Sequence, residues 1–240
     1  MKIGVLGGTG DMGRGLSVRL SLRHELLLGS RSQERASATA FNLSNYAKGF
    51  YQSTMKGSIK GVLNEDAVKE AEVVIVSLPP TVSAEYLKGF SSLFTPEKVV
   101  ISTVVPMSRR KKLFYWTPLE GEALVDLRTR SAAEVIQDIV KPAYVVSAFQ
   151  TVPASYLYNI DSVLNIDVLL AGDDELSLAK VGSLVRDIPN LRPLRVGPLE
   201  NSKFIESITP LLLNVAVLND LRDPSIRVVP WMPTFEPEQV

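Results

Sequence analysis

An α/β architecture built around a mostly parallel sheet is what this 240-residue sequence predicts. Three observations carry the prediction. Short apolar runs alternate with stretches of helical periodicity from the first residues to beyond residue 200. Several runs, among them Val73-Val74-Ile75-Val76 and Val99-Val100-Ile101, show no polar alternation, the pattern of strands covered by helices on both faces. A glycine-rich segment joins the first apolar run directly to the first helical stretch.

The elements follow in order. Ile3–Leu6 is apolar and ends at the glycines of 7–10, which makes it a strand, and Asp11–Leu22 carries helical spacing behind them. Leu26, Leu27 and Leu28 make Glu25–Leu28 the second strand, followed by a helix over Gln33–Tyr46. Strand Ser58–Val62, helix Asn64–Ala71, strand Glu72–Leu78, helix Val82–Leu93 and strand Lys98–Val104 continue the alternation. Met107–Glu122 interrupts it: the basic run Arg109-Arg110-Lys111-Lys112 precedes Phe114-Tyr115-Trp116 and Thr117-Pro118, which predicts an exposed loop with an aromatic anchor. Helix Ser131–Val140, strands Ala143–Ala148 and Ile166–Ala171, helix Asp174–Arg186, strand Arg192–Val196 and helix Ser202–Asp220 complete a pattern of about eight strands. Pro230, Pro233 and Pro237 bar helix and central strand from residues 230–240, which read as a tail.

Composition bounds the chemistry. Lys plus Arg number 26 against 26 Asp plus Glu, so the basic footprint of a phosphate-binding protein is missing and no nucleic-acid partner is expected. Without Cys there is no disulfide frame, thiolate nucleophile or thiolate metal site, and a single histidine, His24, makes no cluster, so no metal is expected. No stretch approaches about 18 uninterrupted apolar residues, and Met1 opens straight into a strand, which predicts a cytoplasmic protein with no membrane partner. Hard chemistry in such a chain falls to a bound cofactor.

Gly7-Gly8-Thr9-Gly10-Asp11-Met12-Gly13 contains G-x-G-x-x-G at Gly8, Gly10 and Gly13, set between a strand and a helix. That context makes it the dinucleotide fingerprint of a Rossmann-type, doubly wound fold. Gly8 permits the tight turn, Gly10 lets backbone approach a pyrophosphate, and Gly13 lets helix and strand touch. The pyrophosphate then sits on the N–H groups and positive dipole of the helix that begins near Asp11. After the second strand an NAD site would present an acid to the ribose, but Gly29-Ser30-Arg31-Ser32-Gln33-Glu34-Arg35 has none at the strand end. Ser30 offers a hydroxyl, Arg31 a planar fork, and Arg35 lies one turn further on the same face. The set suits a 2′-phosphate, so NADP is the expected dinucleotide. The alternative is a solvated arginine pair. Ser77, Leu78 and Pro79 follow the fourth strand, and Val104, Val105 and Pro106 the fifth, where open α/β sheets bind ligands. They are expected beside adenosine and nicotinamide respectively, or else they are ordinary strand-to-helix loops.

A proton donor for an alcohol or keto substrate is hard to find. His24 precedes the second strand, at the amino-terminal edge opposite the crevice, and reads as a surface residue. Tyr-x-x-x-Lys is absent, and Tyr51 to Lys56 is one residue too long. Hydride exchange between two cofactors makes a delocalised anion and requires proximity, alignment and exclusion of water more than an acid.

Several further segments carry a family resemblance: Val105-Pro106-Met107-Ser108-Arg109, Arg130-Ser131-Ala132-Ala133-Glu134, Ser147-Ala148-Phe149-Gln150-Thr151-Val152-Pro153, Gly172-Asp173-Asp174 and Glu206-Ser207-Ile208-Thr209-Pro210. Together with Gly7–Gly10 and Gly29-Ser30-Arg31, they make the chain resemble the archaeal F-420-dependent NADP oxidoreductases from Met1 to about Val229. The resemblance implies reversible hydride transfer between NADP(H) and the 8-hydroxy-5-deazaflavin coenzyme F-420, in a homodimer. It also implies that Thr9, Gly10, Asp11 and Met12 meet the pyrophosphate, with Ser30, Arg31 and Arg35 at the 2′-phosphate. The deazaflavin lies against Val152 and Pro153, near Ala148, with Ser207 and Thr209 at its polar edge. Gln150, Val152, Ser207 and Thr209 position the ring, and no residue has a catalytic role. Phe149-Gln150 departs from the family, which has His at the second position; glutamine can donate a hydrogen bond to a deazaflavin carbonyl but carries no proton.

Other features leave alternatives open. Pro210 bends the last helix and frees the carbonyl of Glu206, which either aims Ser207 and Thr209 into a cavity or leaves them bonded to backbone around the kink. The basic run Arg109–Lys112 either steers the anionic tail of the coenzyme or is simply solvated. Leu211–Leu218 is apolar nearly all round, which calls for a two-fold partner or a core position. Trp116–Leu127 and the tail go beyond the family pattern. The expected organisation is an NADP-binding core over 1–150, an extension over 151–229 completing the sheet, the deazaflavin site and the dimer helix, and the tail at 230–240. The rival readings are an NADP-dependent imine or ketone reductase and a non-catalytic NADP-sensing protein.

Overall fold

The computed structural model describes residues 1–119 and 129–229. In chain order the strands are β1 (Lys2–Leu6), β2 (Glu25–Ser30), β3 (Ser58–Leu63), β4 (Val73–Val76), β5 (Val99–Ser102), β6 (Met107–Arg110), β7 (Leu113–Trp116), β8 (Tyr144–Ser147), β9 (Ile166–Gly172) and β10 (Leu191–Arg195). The helices are α1 (Asp11–Leu20), α2 (Gln33–Tyr51), α3 (Asn64–Glu70), α4 (Pro80–Lys88), α5 (Ala132–Val140), α6 (Ala154–Tyr158), α7 (Glu175–Arg186) and α8 (Ser202–Asn219). All eight strands read from the sequence lie in one sheet, ordered β10-β9-β8-β5-β4-β1-β2-β3.

The sheet is parallel from β3 to β8, and its central strands β4 and β5 are buried on both faces. Val73 and Ile75 of β4 belong to the core shared with α1, α2 and α7, while Val74 and Val76 belong to the core shared with α3, α4 and α5. This two-sided burial is why the run shows no polar alternation. At β9 the direction reverses: Val146 opposes Gly172 and Ser147 opposes Ala171 in antiparallel register, and β10 runs parallel to β9. Because β9 pairs with β8 only through its last residues, Ile166–Leu170 overhang the carboxyl end of β8.

Two sequence expectations are corrected. Met107–Trp116 is not a loop but the hairpin β6–β7, with Arg109 opposite Phe114 and a turn at Lys111 (φ 55°). It docks on α8, where Asn214 accepts the N–H of Phe114 at 2.7 Å and donates to its carbonyl at 2.8 Å. Within the hairpin Arg109 lies over the Phe114 ring at 5.5 Å and Arg110 over Tyr115 at 5.2 Å, so the basic run is partly stacked as well as solvated. His24 is at the amino-terminal edge but is not a surface residue: it is 7% exposed, with Nε2 2.9 Å from Asp187 Oδ2 and Nδ1 3.5 Å from the amino terminus. Residues 120–127 of the insertion and the tail over 230–240 lie outside the described residues. Among the described residues no helix is long and apolar enough to cross a membrane.

Candidate functional site

The chain passes from β1 into α1 through Gly7 (φ 76°), a left-handed turn open to glycine. A Cβ on Gly8 would stand 2.7 Å from Leu28 Cγ, and one on Gly13 would stand 2.7 Å from both Gly7 O and Gly8 Cα. A Cβ on Gly10 would meet only Gly7 O, at 3.3 Å. Two of the fingerprint glycines therefore serve packing, and the third keeps a surface bare. Gly10 is also the N-cap of α1, with no side chain to cap the first turn, so the amides of Asp11, Met12 and Gly13 face outward without an intrahelical acceptor. Asp11 does not take that place; its carboxylate pairs with Arg14 at 2.6 Å. The arrangement fits an anionic group in contact with backbone.

Beside it opens a cleft of about 1020 Å³. Thr9, Gly10, Ser30, Arg31, Arg35, Ser77, Leu78 and Pro79, all named from the sequence, line it together. Ser30 is buried at the end of β2, and its Oγ accepts the N–H of Ser32 at 3.3 Å. Ser32 in turn caps α2 through the N–H of Arg35 at 3.2 Å. The two caps fix the turn so that the exposed guanidinium groups of Arg31 and Arg35 reach one cleft, and neither has an acidic partner among the described residues. Sequence reasoning missed the opposite wall. Tyr86 and Phe90, four residues apart at the end of α4, form an edge-to-face pair 5.1 Å apart, and Asn64 donates to the Tyr86 hydroxyl at 2.9 Å. The helical spacing of those two aromatics was the available signal.

The remaining candidates cluster at the other side of α1, around the ends of β5 and β8. Val104, Pro106 and Ala148 are buried, Val105 and Met12 are half-buried, and Val152 is buried beside half-buried Pro153. Gln150 is 4% exposed. Its Nε2 donates to Ser102 O at 2.8 Å and to Ser147 Oγ at 2.7 Å, while its Oε1 is buried without a protein partner. Both donors of the amide nitrogen already have protein acceptors, so it is not free to donate to a ring carbonyl as the sequence suggested. Thr209 Oγ donates to Gln150 O at 2.8 Å, and Ser207 Oγ donates to Lys203 O, four residues back in α8. Both hydroxyls thus bond to backbone.

Glu206, adjacent to these, is fully buried. It accepts the N–H groups of Ala132 and Ala133 at the start of α5, and desolvation still pushes its carboxyl up to about 7. The described residues contain no group of three or more His, Asp or Glu placed to hold a metal ion.

Comparison with known proteins agrees in kind. Residues 2–106 match the family described as NADP oxidoreductase, coenzyme F420-dependent. The chain is 34% identical over 233 residues to an F420-dependent NADP reductase of Methanocaldococcus jannaschii, covering 95% of this chain and 98% of that one. It is 35% identical to the protein of the same name from Methanothermobacter marburgensis, with the same coverage. Among solved structures, a protein from Arthrobacter sp. FB24 described as a putative F420-dependent NADP-reductase superposes with a TM-score of 0.74 at 20% identity, over 95% of this chain and 99% of that one, which establishes the shared fold.

Proposed function

This chain belongs to the F420-dependent NADP reductases, and on that premise we propose that it transfers a hydride reversibly between NADP(H) and the deazaflavin coenzyme F-420. The observation that carries the NADP half is the pairing of Arg31 and Arg35 in one cleft at the end of β2, with Ser30 behind them and no carboxylate at the ribose position. A 2′-phosphate there receives two charge-assisted contacts, each contributing about 1.5–3 kcal/mol. The uncapped first turn of α1 holds the pyrophosphate through backbone N–H groups, and Tyr86, Phe90 and Leu78 wall the adenosine. Val104, Val105 and Pro106 provide the apolar floor for the nicotinamide.

When bound, the nicotinamide and the deazaflavin supply the hydride donor and acceptor. The chain's own residues align the rings and keep water out. Half-buried Pro153 presents an apolar surface to the acceptor with Val152 packed behind it, and buried Gln150 supports the loop through Ser102 O and Ser147 Oγ. Ser207 and Thr209 act here by fixing backbone and not by direct contact. Because no alkoxide forms, no protonating residue is required at the reacting carbon.

The same reading includes a cytoplasmic homodimer joined through α8. Leu211, Val215 and Leu218 lie along one stripe of the helix and are 61%, 41% and 58% exposed. A second copy of that stripe is a self-complementary cover for it. The decisive assay mixes the pure protein with NADPH and coenzyme F-420 without oxygen and follows the deazaflavin absorbance. Bleaching is expected; tight NADPH binding with no bleaching would favour an imine or ketone reductase or an NADP sensor.

A further inference from the structure

Beyond α8 the chain doubles back across the molecule. Asp220 closes the helix at φ 53°, Asp223 turns at φ 50°, and the strap 221–229 then runs to the overhanging half of β9. There Asp167 donates its N–H to Ile226 O at 3.1 Å and accepts the N–H of Val228 at 2.7 Å. The Asp167 carboxylate is fully buried. Arg192 grips both its oxygens at 2.8 and 2.7 Å, and Arg227 of the strap stands 3.5 Å away. On the way the strap touches the loop that joins β8 to α6 and the first turn of α6. Ser225 Oγ donates to Thr151 O at 2.7 Å, and Asp223 accepts the Ser155 hydroxyl at 2.7 Å. That loop starts at Phe149 with φ 71°, a conformation a bulky residue holds only when its surroundings fix it.

We propose that the strap 221–229, anchored at Asp167, is a clamp that sets the loop 149–155 and thereby the position of the hydride acceptor, with Asp167, Asp223 and Ser225 as positioning residues. The proposal rests on the reading that Val152 and Pro153 flank the deazaflavin. Sealing the exposed half of β9 needs only Ile226–Val228. The contacts of Asp223 and Ser225 lie outside that seal and reach the loop at Thr151 and the first turn of α6 at Ser155. The loop is held from its other side by Thr209, so its backbone is fixed between α8 and the strap. The clamp is also one-sided. The sheet order puts β5, β4 and β1 between β8 and β2, so Arg31 and Arg35 stand about 19 Å from the start of the loop at ordinary strand spacing, although Ala154 and Ser155 at its end lie beside Asp11 and Arg14 of α1. Releasing the strap should therefore disturb the acceptor more than the 2′-phosphate end of NADP.

The test uses the full chain with two variants. The double variant Asp223→Ala with Ser225→Ala cuts the strap from the loop, and Asp167→Asn loosens the anchor itself. Amide hydrogen exchange is read without acceptor, and steady-state kinetics with NADPH and coenzyme F-420. In the double variant the amides of 150–155 should exchange about tenfold faster while those of 226–228 keep their protection, and in Asp167→Asn both segments should exchange faster. The KM for the deazaflavin should rise about tenfold in both variants, with the Kd for NADPH changing much less. Loop exchange at the wild-type rate in the double variant overturns the clamp, as does an equal loss of affinity for NADPH and deazaflavin. If Asp167→Asn fails to fold, the double variant still decides. A wild-type protein that binds NADPH but bleaches no deazaflavin refutes the proposed reaction, while the exchange data still judge the clamp.

Discussion

Trp116 of the hairpin donates its indole N–H to the buried carboxylate of Glu206 in α8, 3.2 Å away. The same carboxylate accepts the N–H of Ala132 at 3.1 Å and of Ala133 at 3.2 Å, so one side chain ties the hairpin, the first turn of α5 and α8 together. Desolvation outweighs these donors, and the negative charge of Glu134 adds to it, raising the carboxyl from the ordinary 4.5 to about 7. The folded state therefore holds this proton more tightly than the unfolded chain does. The stability it contributes is complete below pH 4.5 and is lost as the pH rises through about 7. A urea titration series from pH 5 to 8 should show a decline from this group of up to about 3 kcal/mol, which Glu206→Gln flattens. An equal decline in the variant would remove Glu206 as its source.

Arg31→Ala should raise the KM for NADPH roughly ten- to a hundredfold and leave NADH nearly untouched, because only the former carries the phosphate. Arg35→Ala should act in the same direction. Equal losses with both dinucleotides would return the two arginines to ordinary solvated surface.

Gly10 and Gly13 should separate binding from folding. Ala at 13 must displace backbone on both sides, since its methyl would lie 2.7 Å from Gly7 O and Gly8 Cα, and should cost about 1–3 kcal/mol of stability as well as NADPH affinity. Ala at 10 meets a single tight contact, Gly7 O at 3.3 Å, and has an ordinary φ of −82°, so the melting temperature should fall by only a few degrees while NADPH binding collapses. Thermal unfolding beside a fluorescence titration with NADPH checks both; intact binding in Gly10→Ala would mean the dinucleotide does not approach there.

The sheet was legible because strands buried on both faces leave unbroken apolar runs, and the reversal at β9 did not blur them. The hairpin was not. Its strands have four residues each, and its turn carries Lys111 at φ 55° in place of Asn-Gly or Asp-Gly, so nothing marked it off from a basic loop. His24 looked exposed because its partner, Asp187, is 163 residues away. The donor end of the site was visible because one fingerprint and one strand end supply it. Tyr86 and Asn64 were not, since they meet only after α3 and α4 fold over the same strand ends. The inward turn of the Gln150 amide was equally hidden, because Ser102 and Ser147 come from different strands.

In the dimer proposed through α8, Leu211→Lys combined with Leu218→Lys should leave a monomer in sedimentation at micromolar concentration, since the new charges would face their own copies across the two-fold axis. A wild-type chain that sediments as a monomer would refute the interface directly.

Asn214 holds Phe114 by its own N–H and C=O, as a neighbouring strand would. The outer edge of β7 is therefore occupied at its middle by a helix side chain that cannot be extended into another ladder. An unpaired strand edge carrying aromatic side chains would otherwise be open to strand addition by a second molecule. The amide of Asn214 closes it to runaway self-association, one residue pair guarding the edge of a hairpin that continues directly from Pro106.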